Sequence, residues 1–206
     1  MSEYKLILLG EPGVGKSCIK DRFIYDIYEP YRETTLSNPI FEKTMSFKDG
    51  KKIKFVIWDT CGQEIYRALT RYFYKNAKAI ILVYDITNKE SFEEMKKYWY
   101  NEIKKFCNSD VILAIAANKN DLYKDKKIED SQGEEFANKI NAIFSSTSAK
   151  NSNGIEVLFE NIAQKILDHN FDCAANGDEN KEKYKMEKQQ EIKQNAQKSN
   201  NYSTCF

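Results

Sequence analysis

Residues 4–17 read YKLILLGEPGVGKS, a short apolar run that passes directly into a glycine-rich loop. The loop Gly10–Ser17 satisfies the pattern G-x-x-x-x-G-K-[ST]. Glycines allow successive backbone N–H groups to turn towards a bound anion, and the helix expected next points its positive end at the same place. Because the run before the loop has the length of a buried strand, the stretch predicts a strand–loop–helix unit that holds the phosphates of a nucleotide.

The side chains and the backbone of this loop have separate expected roles. Lys16 should reach the β- and γ-phosphate oxygens, and the Ser17 hydroxyl should ligate Mg²⁺. We expect the remaining nucleotide contacts of the loop at Gly13, Val14, Gly15 and Cys18. Pro12 removes one N–H group beside the expected γ-phosphate position, and it can alter hydrolysis in either direction.

Composition excludes several other classes of protein. The 206 residues carry 32 basic and 31 acidic side chains, a net charge of +1, so there is no overall field for nucleic acid. A hydrophobic fraction of 41% is enough for a folded core, and no apolar run reaches membrane-spanning length. Five scattered cysteines and one histidine argue against a disulfide framework, histidine triads and multi-histidine metal sites. We expect a soluble chain of a reducing, cytoplasmic compartment without a signal peptide.

Strand-like and helix-like segments alternate along most of the chain. Apolar or β-rich runs predict strands at 4–9, 40–47, 53–58, 79–84, 111–116 and 143–146. Asp49-Gly50 is a tight-turn signal that joins the second and third strands in a hairpin. Capping boxes predict helices starting at Ser91 and Ser131, and Gly154 opens another that runs to about His169. We therefore predict an α/β fold with a mostly parallel six-stranded sheet, one antiparallel strand and helices on both faces.

The composition changes after about Phe171. Residues 172–201 consist mainly of Lys, Glu, Gln and Asn, with too few apolar side chains to form a core. We therefore predict one domain at residues 1–170 and a flexible, disordered tail at residues 171–206.

A second group of polar residues follows the third predicted strand, as Asp59-Thr60-Cys61-Gly62-Gln63. A carboxylate at the end of a buried strand beside the phosphate loop is placed to hold Mg²⁺, usually through water. The Gly62 N–H can approach a γ-phosphate, and Gln63 can orient a water molecule for in-line attack. Together with the phosphate loop, these residues favour a nucleotide hydrolase over a simple polar turn.

The base of the nucleotide is expected to lie against the segment Asn118-Lys119-Asn120-Asp121, at the carboxyl end of the fifth predicted strand. The Asp121 carboxylate can accept hydrogen bonds from guanine N1–H and N2, which adenine does not offer. Lys119 can cover the ring plane, and Asn118 can tie this segment to the phosphate loop. Ser148-Ala149-Lys150 follows the last strand, where the Ala149 N–H can donate to guanine O6. These residues predict guanine specificity.

In their order and spacing, the motifs resemble a small GTPase of the Ras superfamily and are most similar to the Rab family. The similarity covers about residues 3–169 and includes the segments GVGKSC, KFVIWDTCGQE, YRALTRYFYKNA and ILVYDITNKESF. It implies a P-loop G domain that hydrolyses GTP to GDP and phosphate. It also implies a monomeric switch in vesicle-mediated membrane traffic, controlled by an exchange factor and a GTPase-activating protein and read by effectors.

The resemblance also assigns residues. Ser17 and Thr35 would be direct Mg²⁺ ligands and Asp59 an indirect one, and Thr35 and Gly62 would sense the γ-phosphate. Tyr28 would cover the edge of the guanine. Effectors would contact three aromatic residues: Phe41, Trp58 and Phe73.

Several residues depart from the family pattern. The segment 35–41, which is called switch I in this family, has Ser37 in place of a glycine and one extra residue before Phe41. These differences leave effector choice and subfamily open. Cys61 replaces an alanine, and Lys20 and Asp21 replace apolar residues of the first helix. The chain ends with one penultimate cysteine, Cys205, rather than two. Geranylgeranylation there would bring the protein to the cytosolic face of an endomembrane, whereas an unmodified cysteine would leave it cytoplasmic.

Two alternatives to a GTP hydrolase remain at this point. Pro12 and the altered switch I are compatible with a guanine-nucleotide-dependent binding module that scarcely hydrolyses. A P-loop kinase or ATPase is the other alternative, although Asp121 argues against it because it selects guanine.

Overall fold

The computed structural model describes residues 2–29, 40–47, 50–59 and 74–175, with side chains up to residue 169. In these residues, six strands form a sheet: β1 (Ser2–Leu9), β2 (Ile40–Ser46), β3 (Lys52–Asp59), β4 (Ala79–Asp85), β5 (Ile112–Asn118) and β6 (Ile143–Ser146). Their order across the sheet is β2-β3-β1-β4-β5-β6. β2 pairs antiparallel with β3, and the other neighbours pair in parallel. The predicted sheet is therefore confirmed.

Five α-helices are described: α1 (Lys16–Tyr25), α2 (Lys89–Glu94), α3 (Tyr100–Phe106), α4 (Asp130–Lys139) and α5 (Ile155–Ala175). A π-helical turn, Met95–Trp99, joins α2 to α3, and a 3₁₀ segment, Asn120–Asp125, follows β5. The described chain divides into two compact units, of which the first ends at Lys165. The described part of the second is the continuation of α5 over residues 166–175.

Helices cover both faces of the sheet. Alternate residues of the central strands point to opposite faces, so each face presents apolar side chains to the helices on its side. In β1, Ile7 and Leu9 belong to the apolar cluster formed with α2, the π turn, α3 and α4. On the opposite face, the ring of Phe23 from α1 stacks on Phe159 from α5, with centroids 3.6 Å apart. Phe55 of β3 meets both rings edge-on. This double coverage explains why every residue of β4 and β5 is buried.

Two predicted helix starts are wrong by a few residues. The Asn88 side chain caps α2 by accepting from the N–H groups of Glu90 and Ser91, so the helix begins before Ser91. The Ser91 hydroxyl instead bonds to the backbone at Asp85 and Asn88. In α4, Glu129 and Gln132 form the capping box that was predicted at Ser131. In both cases an earlier polar side chain reaches the free N–H groups of the first turn.

The parallel arrangement brings the functional segments to one edge of the sheet. β1, β3, β4, β5 and β6 run in the same direction, so their carboxyl ends lie together. The phosphate loop follows β1, Asp59 ends β3, and the predicted base-binding segments follow β5 and β6. This edge is where open α/β sheets bind ligands.

The predicted domain boundary at residues 170/171 falls within α5, which continues to Ala175. The tail from residue 176 onwards lies outside the described residues, and Asp49 of the predicted hairpin turn does too. Within the described parts of the chain, no helix combines the length and hydropathy needed to cross a bilayer.

Candidate functional site

The phosphate loop packs so closely against neighbouring strands that two of its glycines have no room for a side chain. A Cβ on Gly10 would overlap the Val83 carbonyl oxygen of β4. A Cβ on Gly15 would overlap the Asn118 amide, and Gly15 has a left-handed backbone with φ of 96°. The loop residues predicted to bind a nucleotide therefore sit in a compact turn held from two sides.

Lys16 closes this loop from the inside. The side chain is buried, and its Nζ donates to the carbonyl oxygens of Gly10 at 2.9 Å and Glu11 at 3.0 Å. Gly15 occupies the N-cap of α1 and has no side chain to satisfy the first N–H groups of the helix. Those N–H groups and the ammonium form an electropositive cradle suited to phosphate.

Glu11 connects the phosphate loop to the opposite side of the core. The buried Trp99 indole of the π turn donates to Glu11 Oε1 at 2.8 Å. The sequence analysis gave Glu11 no role. Its variable position in the loop motif carries no signal, and a contact across 88 positions of the chain cannot be read from local spacing.

Asp59 and Ser17 come together beside this cradle, as the sequence predicts. Asp59 is buried at the end of β3, and the Ser17 hydroxyl donates to its Oδ1 at 3.5 Å. The other oxygen, Oδ2, lies 3.3 Å from Lys20 Nζ. Lys20 was noted only as a departure from the family pattern, so this contact with a predicted metal ligand is new information from the structure.

Asn118 ties the predicted base-binding segment to the phosphate loop. Its buried amide donates to the Val14 carbonyl at 2.8 Å, and its Oδ1 accepts from the Thr147 hydroxyl at 3.3 Å. One side chain therefore holds three segments in fixed relative positions: the loop after β1, the end of β5 and the segment after β6.

The two charged residues of the base-binding segment are also held in place. Lys119, in a left-handed conformation with φ of 67°, pairs with Asp85 Oδ2 at 2.7 Å. The carboxylate of Asp121 accepts from the Ser148 hydroxyl. These contacts fix the positions of both charged side chains at the carboxyl edge of the sheet.

Arg22 supports the third segment from α1. Its guanidinium donates to the carbonyl oxygens of Ala149 at 2.9 Å and Lys150 at 3.1 Å, and it pairs with Asp26 at 2.8 Å. Arg22 belongs to none of the sequence motifs. The sequence shows only that an arginine lies on the helix after the phosphate loop. Arginines on helices are too common for this to indicate a contact with residues 149 and 150.

Several other predicted residues have a position but no direct test of their role. Tyr28 lies in the described segment after α1 and is partly buried. Phe41 and Trp58 lie on β2 and β3, with the ammonium groups of Lys20 and Lys5 over their rings at 3.7 and 3.9 Å. Thr35, Gly62, Gln63, Phe73 and Cys205 lie outside the described residues.

The Lys5 ammonium lies over the ring of Trp58, and its pKa is lower than that of a free lysine. Burial lowers the pKa of its ammonium, and the neighbouring Cys107 opposes that change to a smaller extent. The ring of Trp58 supplies a favourable cation–π contact in return.

The fold and this site together define a class: a P-loop protein whose phosphate loop lies at the carboxyl edge of its sheet. Comparisons with known proteins agree. A model of the Ras family matches residues 5–168. Ras-related protein Rab-22A from Homo sapiens is 39% identical over 166 residues, covering 81% of this chain and 84% of that protein.

Two further relatives show the same extent of similarity. GTP-binding protein ypt5 from Schizosaccharomyces pombe is 37% identical over 79% of this chain and 77% of its own. Ras-related protein Rab-18 from Caenorhabditis briggsae is 36% identical over 81% of this chain and 82% of its own. The chain therefore belongs to the Ras family and is a Rab-like small GTPase, a GTP/GDP switch of membrane traffic, as the sequence predicts.

Proposed function

We propose that this chain is a Mg²⁺-dependent GTP hydrolase in which the predicted residues carry the roles assigned to them. The observation that carries the proposal is the buried Asn118 amide, which joins the phosphate loop to the guanine-selecting segment. The fission-yeast relative is named a GTP-binding protein, which supports the choice of nucleotide. Family membership favours a hydrolase over a binding module that scarcely turns over.

The residues present fit a magnesium ion. Asp59 Oδ2 is buried with the Lys20 ammonium 3.3 Å away, and the Ser17 hydroxyl lies next to Oδ1 of the same carboxylate. Hydroxyl and carboxylate oxygens are ligands that Mg²⁺ prefers, and the ion takes few of them because phosphate and water complete its shell. Ser17, Thr35 and Asp59 would hold the ion, which when bound would neutralise charge on the β- and γ-phosphate oxygens.

Hydrolysis requires a water oxygen to bond to the γ-phosphorus while the bond from that phosphorus to the β–γ bridging oxygen breaks, which yields GDP and phosphate. Gln63 would orient the water in line with that bond. The Lys16 ammonium and the Gly62 N–H would donate to the oxygens on which negative charge accumulates. Thr35 and Gly62 would hold the two switches while the γ-phosphate is present and release them after its loss.

Intrinsic turnover should be slow, because the described residues place no arginine beside the phosphate loop. Among the described residues the one arginine is Arg22, and its guanidinium is bound to Asp26 and to the segment after β6. An arginine supplied by a partner accelerates such reactions by about 10³–10⁵-fold. We therefore propose control by a GTPase-activating protein, together with an exchange factor.

Effector contact and membrane attachment complete the proposal. Phe41, Trp58 and Phe73 would form the aromatic surface that effectors recognise. Geranylgeranylation of Cys205 would bring the monomer to the cytosolic face of an endomembrane, with the unlipidated form cytoplasmic.

A single-turnover experiment tests the hydrolase. Purified protein is loaded with GTP, Mg²⁺ is added, and the bound nucleotide is followed by HPLC. We expect slow conversion to GDP that is reduced at least tenfold in the Gln63→Leu variant, with GTP affinity unchanged. Equal hydrolysis by the variant and the parent would refute the role of Gln63, and persistent GTP in the parent would favour the binding module.

A further inference from the structure

A buried lysine lies at the carboxylate that the proposed magnesium ion requires. Lys20 is on α1, its side chain is fully buried, and its Nζ lies 3.0 Å from Asp21 Oδ1 and 3.3 Å from Asp59 Oδ2. The ring of Phe41 covers the same ammonium, with its centroid 3.7 Å away. Lys20 and Asp21 both depart from the apolar residues expected at these two helix positions from the family resemblance.

The charge of Lys20 interacts strongly with its neighbours, because the surroundings of this side chain are buried. The Asp59 side chain is 2% exposed and that of Asp21 is 12% exposed, so little water separates or screens the three charged groups. An ammonium taken out of water is stable only when acidic partners compensate for its lost hydration. Here Asp21 and Asp59 share that task, and Asp59 is thereby partly neutralised by a cation that belongs to the chain itself.

We propose that Lys20 is a built-in counter-ion of Asp59 that weakens divalent-cation binding and so accelerates the release of GDP. This inference rests on the proposed function. The Lys20 ammonium and a divalent cation would both pair with the buried Asp59 carboxylate. Because both are positively charged and water is excluded, they repel each other strongly. The second partner, Asp21, keeps the ammonium close to Asp59 when a metal ion is present. Lys20 is thus a positioning residue that sets the affinity for Mg²⁺ through Asp59.

The measurement is the rate at which a fluorescent GDP analogue leaves the protein, recorded over a series of buffered free Mg²⁺ concentrations. The parent defines the Mg²⁺ concentration that gives half-maximal retention. In Lys20→Met we expect this concentration to fall about tenfold, because the competing charge is gone and a side chain of similar length remains. Below saturation, release should slow to the same extent.

Lys54 provides a matched control on the strand that carries Asp59. Its Nζ also bridges two carboxylates, those of Glu3 at 2.8 Å and Glu42 at 2.9 Å, but both carboxylates are mainly exposed. Lys54→Met should therefore leave the half-maximal Mg²⁺ concentration within twofold of the parent. Lys20→Arg, which keeps the charge, should also retain the parent value.

Lys20→Met leaves Asp21 without its lysine, so the double change Lys20→Met and Asp21→Leu, which restores an apolar pair, is measured in parallel. A tenfold fall in the folded double variant supports the inference. An unchanged or higher half-maximal Mg²⁺ concentration in the folded double variant overturns it. Retention of GDP by the parent that does not depend on Mg²⁺ at all would overturn the proposed function as well, and this separates the two failures.

Discussion

Replacing Arg22 should weaken the binding of guanine nucleotides while leaving the contacts to their phosphates unchanged. The guanidinium donates to the carbonyl oxygens of Ala149 and Lys150, the segment whose N–H groups are expected to meet guanine. A hydrogen bond from a charged donor contributes about 1.5–3 kcal/mol, and the two bonds here are partly exposed, so water recovers some of the loss. Arg22→Ala should therefore cost about 1–2 kcal/mol of binding free energy. That corresponds to an affinity about 5–30-fold lower.

The assay is isothermal titration of nucleotide-free protein with GDP and, separately, with a non-hydrolysable GTP analogue. Because Arg22 acts on the side of the site that faces the base, both ligands should lose affinity equally. Arg22→Lys keeps the charge but lacks the planar fork, and it should fall between the parent and Arg22→Ala. A change below twofold in Arg22→Ala, or a loss confined to the triphosphate, would show that the segment after β6 does not depend on this contact.

Three further predictions concern the phosphate loop and the core. Gly15→Ala places a methyl group against the Asn118 amide at a positive φ, so GDP affinity measured by titration should fall at least tenfold; a change within twofold would contradict the packing. Trp99→Phe removes the donor to Glu11 and leaves a small cavity, so the free energy of unfolding in urea should drop by about 2–3 kcal/mol, and a drop below about 0.5 kcal/mol would rule out a stabilising contact. Burial raises the pKa of the Cys107 thiol from 9.0 to about 11, against a smaller opposing effect of Lys5. At pH 7.5 iodoacetamide should therefore alkylate Cys107 about 100-fold more slowly in the folded protein than in urea, as peptide mass spectrometry would show, and equal rates would be inconsistent with the raised pKa of this half-buried thiol.

The sheet was predictable because its signals are local. Continuous apolar runs identify β4 and β5 as strands covered on both faces, and the observed boundaries lie within two residues of the predicted ones. The helix starts were less certain, because several polar residues stand close together before each one. Ser91 and Asn88 are equally good caps by composition, and only the path of the chain after β4 decides between them.

The candidate site divides in the same way. Lys16, Asn118 and Asp121 belong to motifs whose spacing is itself the signal, and the structure brings them to one edge. Lys20 and Arg22 lie about one and nearly two turns beyond Lys16 along α1, outside any motif. Their partners are distant in sequence: Arg22 contacts Ala149, and Lys20 contacts Asp59. Such contacts follow from how α1 crosses the sheet, and one sequence does not contain that information.

The direction of β1 also determines how the protein can be handled. β1 rises about 3.3 Å per residue, so its eight residues place Ser2 about 23 Å from the loop that follows Leu9. Because the neighbouring strands run in parallel, the amino ends of β1, β3, β4 and β5 form the edge opposite the ligand. A fusion partner or a surface tether attached before Ser2 therefore leaves the nucleotide entrance open, and immobilised protein should exchange nucleotide as freely as protein in solution.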